Sequence, residues 1–329
     1  MERAVPGTKL LRIAAAGGRT AGLGLWERCA AARDPRLPPL LLIHGATLGG
    51  ALFDLPRPGY SLMAALARAG RPVYALDVRG YGESFDDEVM TAPADLHPPF
   101  AGAEDAVRDI GAAIAFIRAR CAVPSLDLVG FSWGTIAAAR YAGSHPAQIR
   151  RLGLYAPLFA EVSPLWLARI ADPNDRRRLA PRFGAYRLVT LAGLIERWNG
   201  DLPDGDPAAF REDGIAELVF DTLAALDPSA AMRSPRAFRC PNGAFADLVR
   251  VFNGEALYDP AKLSMPVLLV RGLHDTTATA TDAQRLLRLI AGPAKRYRVI
   301  EAGSHFLCIE RNRAALYDEL NAFFGEEDA

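Results

Sequence analysis

The sequence predicts an α/β protein: a mostly parallel central sheet with helices on both faces, carrying one helical cap insertion. Three observations predict it. Short apolar runs alternate with helical patterns. Those runs are continuous rather than alternating, as strands buried on both faces require. The rhythm lapses once, from Pro157 to about Asn253, and then resumes.

In chain order, Pro39 to Gly45 (PLLLIHG) reads as a buried strand, Ser61 to Ala69 as a helix, and Val73 to Val78 (VYALDV) as a second strand. From Ala103 to Arg120, Val107, Ile110, Ile114 and Ile117 recur at spacings of three and four, which gives a helix one sheet-facing side. Leu126 to Val129 is the next strand, Gly134 to Ala142 an alanine-rich, close-packing helix, and Arg151 to Tyr155 a further strand. Pro266 to Val270 and Arg296 to Ile300 complete the sheet. The interrupting run has helical patterns and scattered aromatics, among them Trp166, but no buried strand is expected in it. Because strands resume after it, the expected organisation is one core, residues 1–157 and 254–329, with a cap at 158–253.

With 329 residues, the chain can bury a large core. Lys plus Arg and Asp plus Glu both total 38, so no net field draws it to nucleic acid or an anionic membrane. Its expected partner is a small-molecule substrate. The four cysteines lie far apart, without zinc-site or disulfide-scaffold spacing, and read as free thiols. Neither a secretory leader nor an apolar run approaching the roughly 20 residues of a membrane span is apparent, so a soluble, cytoplasmic protein is expected. The histidines are scattered, which implies no metal, and no cofactor is expected. Gly45 to Gly50 superficially resembles a phosphate loop, but Ala51 stands where its lysine belongs.

Gly130-Phe131-Ser132-Trp133-Gly134 sits between a strand and a helix. In that context a serine stands on a tight, crowded turn, its hydroxyl exposed over a helix N-terminus that favours negative charge. A serine hydroxyl is a weak nucleophile near neutral pH, so it needs a base and a group to orient that base. His305 follows the strand RVIEAG, and Asp275 follows PVLLVRGLH, so both are expected at the carboxyl edge of the sheet. Asp259 is the main competitor for the acid, but it precedes its strand, at the wrong edge of the sheet, and reads as a turn cap. The oxyanion donors are expected to be the backbone N–H groups of Ala46 and Trp133. Side chains that could reach substrate are His44, Phe53, Tyr60, Phe131 and Trp166, with packing the favoured role for Phe53 and Tyr60.

Together, His44-Gly45, the D-x-R-G-x-G-x-S stretch from Asp77 to Ser84, the serine turn, Gly272 to Asp275 and Gly303-Ser304-His305 resemble the α/β-hydrolase superfamily. The resemblance covers about residues 39 to 157 and 255 to 325. It implies a variable cap that shapes the substrate pocket, and a serine hydrolase acting on a carboxylic ester or lactone. It also leaves room for carbon–carbon bond hydrolysis, perhydrolysis or acyl transfer with the same triad, and for a catalytically silent binding protein. Ser132 stands where haloalkane dehalogenases and epoxide hydrolases carry aspartate, which argues against both. Neither the substrate nor the oligomeric state can be read from the sequence.

Overall fold

A computed structural model describes residues 7–15, 22–30, 32–85, 87–203 and 206–326. The first six and last three residues of the expected core lie outside the described residues. Along the described chain run strands β1 (Thr8–Ile13), β2 (Leu23–Arg28), β3 (Leu40–Ile43), β4 (Val73–Leu76), β5 (Leu126–Phe131), β6 (Ile149–Tyr155), β7 (Tyr186–Thr190), β8 (Ala237–Pro241), β9 (Val267–Gly272) and β10 (Lys295–Ile300). The helices are α1 (Leu62–Ala67), α2 (Asp87–Thr91), α3 (Ala103–Cys121), α4 (Trp133–Ser144), α5 (Pro164–Ile170), α6 (Leu191–Asn199), α7 (Pro207–Phe210), α8 (Ile215–Ala224), α9 (Gly243–Val251), α10 (Ala280–Leu289) and α11 (Arg313–Gly325).

Eight strands form one sheet in the order β1-β2-β4-β3-β5-β6-β9-β10. From β4 to β10 every pairing is parallel, while β1 and β2 join antiparallel at one edge. β3, β4, β5 and β9 are buried at every position, because helices cover both faces. α3 packs on α4, and α1 on α11. The one carboxylate inside β5, Asp127, is buried but paired: Arg71 Nη1 donates to it at 2.8 Å and Arg150 Nη2 at 2.7 Å. α3 buries Ala106, Ile110, Ala113, Ile114 and Ile117, whereas Val107 is half-buried at the edge of that face.

Two features depart from the sequence reading. The antiparallel pair β1 and β2 was not foreseen, since TKLLRI and LGLWER mix charge with apolar residues; buried Glu27 is tolerated because Arg120 and Tyr74 donate to it. The stretch expected to lack a buried strand holds β7 and β8 as an antiparallel ribbon, with all five β8 residues buried. One of those residues is Arg239, whose guanidinium is bonded to Asp227, so the segment looked polar in sequence.

Candidate active site

Ser132 follows β5 directly and precedes the first residue of α4, and its backbone has φ +54° and ψ −124°. A non-glycine residue pays for that conformation, and here the turn is over-determined by its neighbours. A Cβ on Gly134 would stand 2.3 Å from the His44 carbonyl oxygen, and one on Gly130 would stand 2.4 Å from the Gly134 carbonyl oxygen. Only glycine at both positions lets α4 approach β3 and β5 this closely.

The loops after β9 and β10 bring two more predicted residues to Ser132. The Ser132 Oγ lies 2.8 Å from His305 Nε2, and His305 Nδ1 lies 2.9 Å from Asp275 Oδ2. Asp275 is fully buried, and its Oδ1 accepts the backbone N–H groups of Thr277 at 2.9 Å and Ala278 at 2.8 Å. Burial alone would raise its carboxyl; the adjacent His305, the Ala278 N–H and Arg271 outweigh burial and hold it below the usual carboxylate range. An ionised Asp275 can only accept, so Nδ1 donates and Nε2 is left to accept the serine proton. Tyr155 donates its hydroxyl to the His305 carbonyl at 2.9 Å, fixing the histidine backbone from below.

Asp259, the competing acid, is remote from this constellation in role: it caps the short turn at Pro260, accepting the Ala261 N–H at 3.0 Å. Ala46 lines the cavity beside Ser132, and Trp133 is the first residue of α4, so its N–H has no acceptor within that helix. The Ala46 carbonyl accepts from Tyr81 Oη at 2.9 Å, Arg187 Nη2 at 2.9 Å and Cys240 Sγ at 3.2 Å.

A cavity of about 320 Å³ opens above Ser132 and His305. Phe131 and Trp166 line it, as the sequence suggested. Three other suggested contacts are corrected. His44 is fully buried, accepting the Val78 N–H on Nε2 at 3.1 Å with Nδ1 2.8 Å from the Gly45 carbonyl. Phe53 and Tyr60 are buried outside the cavity, and the Tyr60 ring carries the guanidinium of Arg313 at 3.5 Å.

Sequence reasoning missed several residues that hold the site. Arg187 on β7 also donates to Thr47 Oγ1 at 2.8 Å. Trp198 on α6 donates to buried Glu310 at 2.7 Å, and Glu310 accepts the Ser304 N–H at 2.8 Å, next to His305. Asp247 on α9 accepts from the Trp133 indole at 2.9 Å. The Arg187–Thr47, Trp198–Glu310 and Asp247–Trp133 pairs are each separated by more than 100 positions, and no local pattern marks them.

A doubly covered parallel sheet with a serine, a histidine and an aspartate meeting at its carboxyl edge defines a hydrolase. The chain belongs to the alpha/beta hydrolase fold family, whose pattern matches residues 38–312. It is 24% identical over 205 residues to the mouse (Mus musculus) (lyso)-N-acylphosphatidylethanolamine lipase, a match covering 60% of this chain and 55% of the lipase. The chain thus spans about half the length of the curated relatives it matches. Among solved structures it is similar to a bromoperoxidase from Bacillus anthracis (TM-score 0.65, 18% identity, 97% of this chain and 100% of the other). It is also similar to the enol-lactonase from Burkholderia xenovorans LB400 (TM-score 0.60, 19% identity, 96% and 100%). Among the described residues no helix is long and apolar enough to cross a membrane, and no cluster of His, Cys, Asp and Glu could hold a metal ion.

Proposed function

We propose that the protein hydrolyses a carboxylic ester or lactone of a small, largely apolar substrate through an acyl-enzyme on Ser132. The observation that carries this reading is the continuous hydrogen-bonded line from Ser132 Oγ through His305 to Asp275 at the floor of a mostly apolar cavity. Ser132 Oγ attacks the carbonyl carbon as His305 Nε2 takes its proton. The developing oxyanion is met by the N–H groups of Ala46 and Trp133. His305 returns the proton to the leaving oxygen, and the carbon–oxygen bond breaks. Water, deprotonated by the same histidine, then releases the acid and restores Ser132. Asp275 stays ionised throughout and stabilises the imidazolium. Residues 158–253 act as a cap, since α5, β7, α6 and α9 supply most of the upper cavity wall. A lipase and an enol-lactonase among the similar proteins are consistent with ester chemistry, while the fold they share with a bromoperoxidase leaves the choice to the site.

The test is reaction with a fluorophosphonate probe, with peptide mapping and turnover of short p-nitrophenyl esters. Labelling is expected on Ser132, and Ser132→Ala should abolish labelling and reduce turnover at least a thousandfold while the fold survives. A folded wild-type protein that neither labels nor turns over esters would refute the proposal.

A further inference from the structure

The cavity wall contains three arginines, Arg169, Arg187 and Arg197, and no aspartate or glutamate. In a chain with equal numbers of acidic and basic residues, that asymmetry is local. The guanidinium carbons of Arg169 and Arg197 stand 5.8 and 5.1 Å from the centroid of one ring, that of Trp166. Arg197 also lies 5.3 Å from the ring centroid of Phe306, the residue after His305, and donates to Thr277 Oγ1 at 2.7 Å. One carboxylate answers this pair: Asp201 accepts from Arg197 at 2.7 Å. Arg169 has no side-chain hydrogen bond or ion pair among the described residues, so its five N–H donors are available to a ligand. Arg187 bonds only neutral acceptors, the carbonyls of Ala46 and Pro241, Thr47 Oγ1 and Asn242 Oδ1. Stacking accounts for where Arg187 lies, 3.7 Å from the Phe245 ring centroid, and where Arg197 lies, but it gives no reason for a wall without carboxylates. The rest of the lining, Leu48, Phe131, Leu194, Phe245 and Leu248 among it, suits a hydrocarbon body.

We propose that the substrate is an amphiphilic anion, an apolar acyl group esterified to an alcohol part that carries a carboxylate or phosphate, which Arg169 and Arg197 bind. This rests on the reading of Ser132 as nucleophile. The anion belongs to the alcohol part because His305 must hand its proton to the leaving oxygen, so that part lies on the histidine side, where Arg197 packs on Phe306. The chemistry is unchanged by the anion: the acyl carbon bonds to Ser132 Oγ, its bond to the alcohol oxygen breaks, and the serine proton passes through His305 to that oxygen. The anionic group stays intact and orients the ester. Phosphate or carboxylate on a planar guanidinium is the pairing arginine forms best.

The test uses the full chain and three esters with one acyl group: 4-hexanoyloxybenzoate, 4-hexanoyloxyphenyl phosphate and methyl 4-hexanoyloxybenzoate. The methyl ester releases the better leaving group than the benzoate, so intrinsic reactivity runs against the expected preference. We expect kcat/KM for at least one anionic ester to exceed that for the neutral ester about tenfold at low salt, and the faster anion identifies the head group. Added salt should shrink the ratio. Arg169→Gln should bring it down several-fold and Arg169→Glu should reverse it; Arg169 is exposed, and thermal unfolding verifies that both variants fold. A wild-type ratio of one or less, with Ser132 labelled by fluorophosphonate, overturns this proposal and leaves the hydrolase reading standing. A preserved ratio in Arg169→Glu overturns the assignment to this wall. Absence of both labelling and turnover overturns the hydrolase reading and this proposal with it.

Discussion

Asp275→Asn is the substitution that most sharply examines the proposed mechanism, because the structure dictates which way the new amide must face. Asp275 Oδ1 accepts two backbone N–H groups, from Thr277 at 2.9 Å and Ala278 at 2.8 Å. An asparagine must keep its oxygen there, since turning its NH₂ toward two donors would leave three buried donors without partners. The NH₂ therefore faces His305 Nδ1, 2.9 Å away in the wild type. Nδ1 must then accept, which moves the ring proton to Nε2. That nitrogen now donates to Ser132 Oγ instead of accepting from it, and the general base is lost although every heavy atom stays in place. The expected fall in kcat is about 10⁴-fold, the magnitude that a wrong tautomer costs in a triad of this kind. Fluorophosphonate labelling should slow in parallel, since it needs the same proton transfer, while the thermal midpoint changes little. Turnover of p-nitrophenyl esters and the labelling rate measure both. A variant within tenfold of wild type would refute the assignment of Asp275, and a larger loss in Asp259→Asn would transfer the role to that residue.

Arg187→Gln removes one of three donors to the Ala46 carbonyl and the bond to Thr47, loosening the peptide next to the N–H proposed to meet the oxyanion. Losing an oxyanion donor outright costs about 10²–10³ in kcat, so a fall of about ten- to a hundredfold is expected, and a change confined to KM would sink the idea. Gly134→Ala places a methyl 2.3 Å from a backbone oxygen that no rotamer can move; destabilisation of about 3 kcal/mol or failure to fold is expected, read by urea denaturation, and an unchanged midpoint would refute the packing argument. Burial holds the imidazole of His44 down to about 4, so the unfolded chain binds its proton more readily between pH 6.5 and 4. Its contribution to stability is complete above pH 6.5 and is lost as pH falls toward 4, about 2 kcal/mol of it by pH 5. Asp77, which burial pushes up to about 6, gains a proton on folding and runs the opposite way, so the effect is read as a difference. The stability gap between wild type and His44→Gln should narrow by about 2 kcal/mol from pH 7 to pH 5, and a constant gap would show that His44 is not the group titrating.

What the sequence made legible follows from the range of the interactions involved. β3 and β9 were readable because a strand covered on both faces is mostly apolar, and LLLI or VLLV leaves no competing pattern. Ser132 and Asp275 were readable because each lies just past such a strand, and His305 because it lies just past the final strand, β10; the sheet order brings these strand ends together. β2 and β8 escaped because their charged residues satisfy themselves against distant partners: Glu27 against Arg120, and Arg239 against Asp227. His44 shows the limit of motif reading in the other direction. A histidine beside the oxyanion loop looks like a substrate contact, yet its two ring nitrogens are spent on the Val78 and Gly45 backbone, so it packs the loop from beneath.

The residues the sequence concealed share one property: they tie the segment between β6 and β9 to each loop of the site. Arg187 and Cys240 hold the Ala46 carbonyl, and Asp247 holds the Trp133 indole. Arg197 bonds Thr277, and Asp201 bonds Thr276, on the two residues after Asp275. Trp198 reaches Glu310, which in turn holds Ser304 beside His305. Glu310 and Asp247 are buried, and desolvation raises both carboxyls, so neither would be stable there without the donors it accepts from. Removing the segment would therefore do more than uncover the cavity. It would strip partners from buried carboxylates and from the Ala46 peptide, leaving a serine, a histidine and an aspartate on loops free to drift by more than catalysis tolerates. The segment that carries the cationic wall is thus also a structural member of the site, which makes single side-chain changes such as Arg169→Gln, and not truncation, the way to separate selectivity from chemistry.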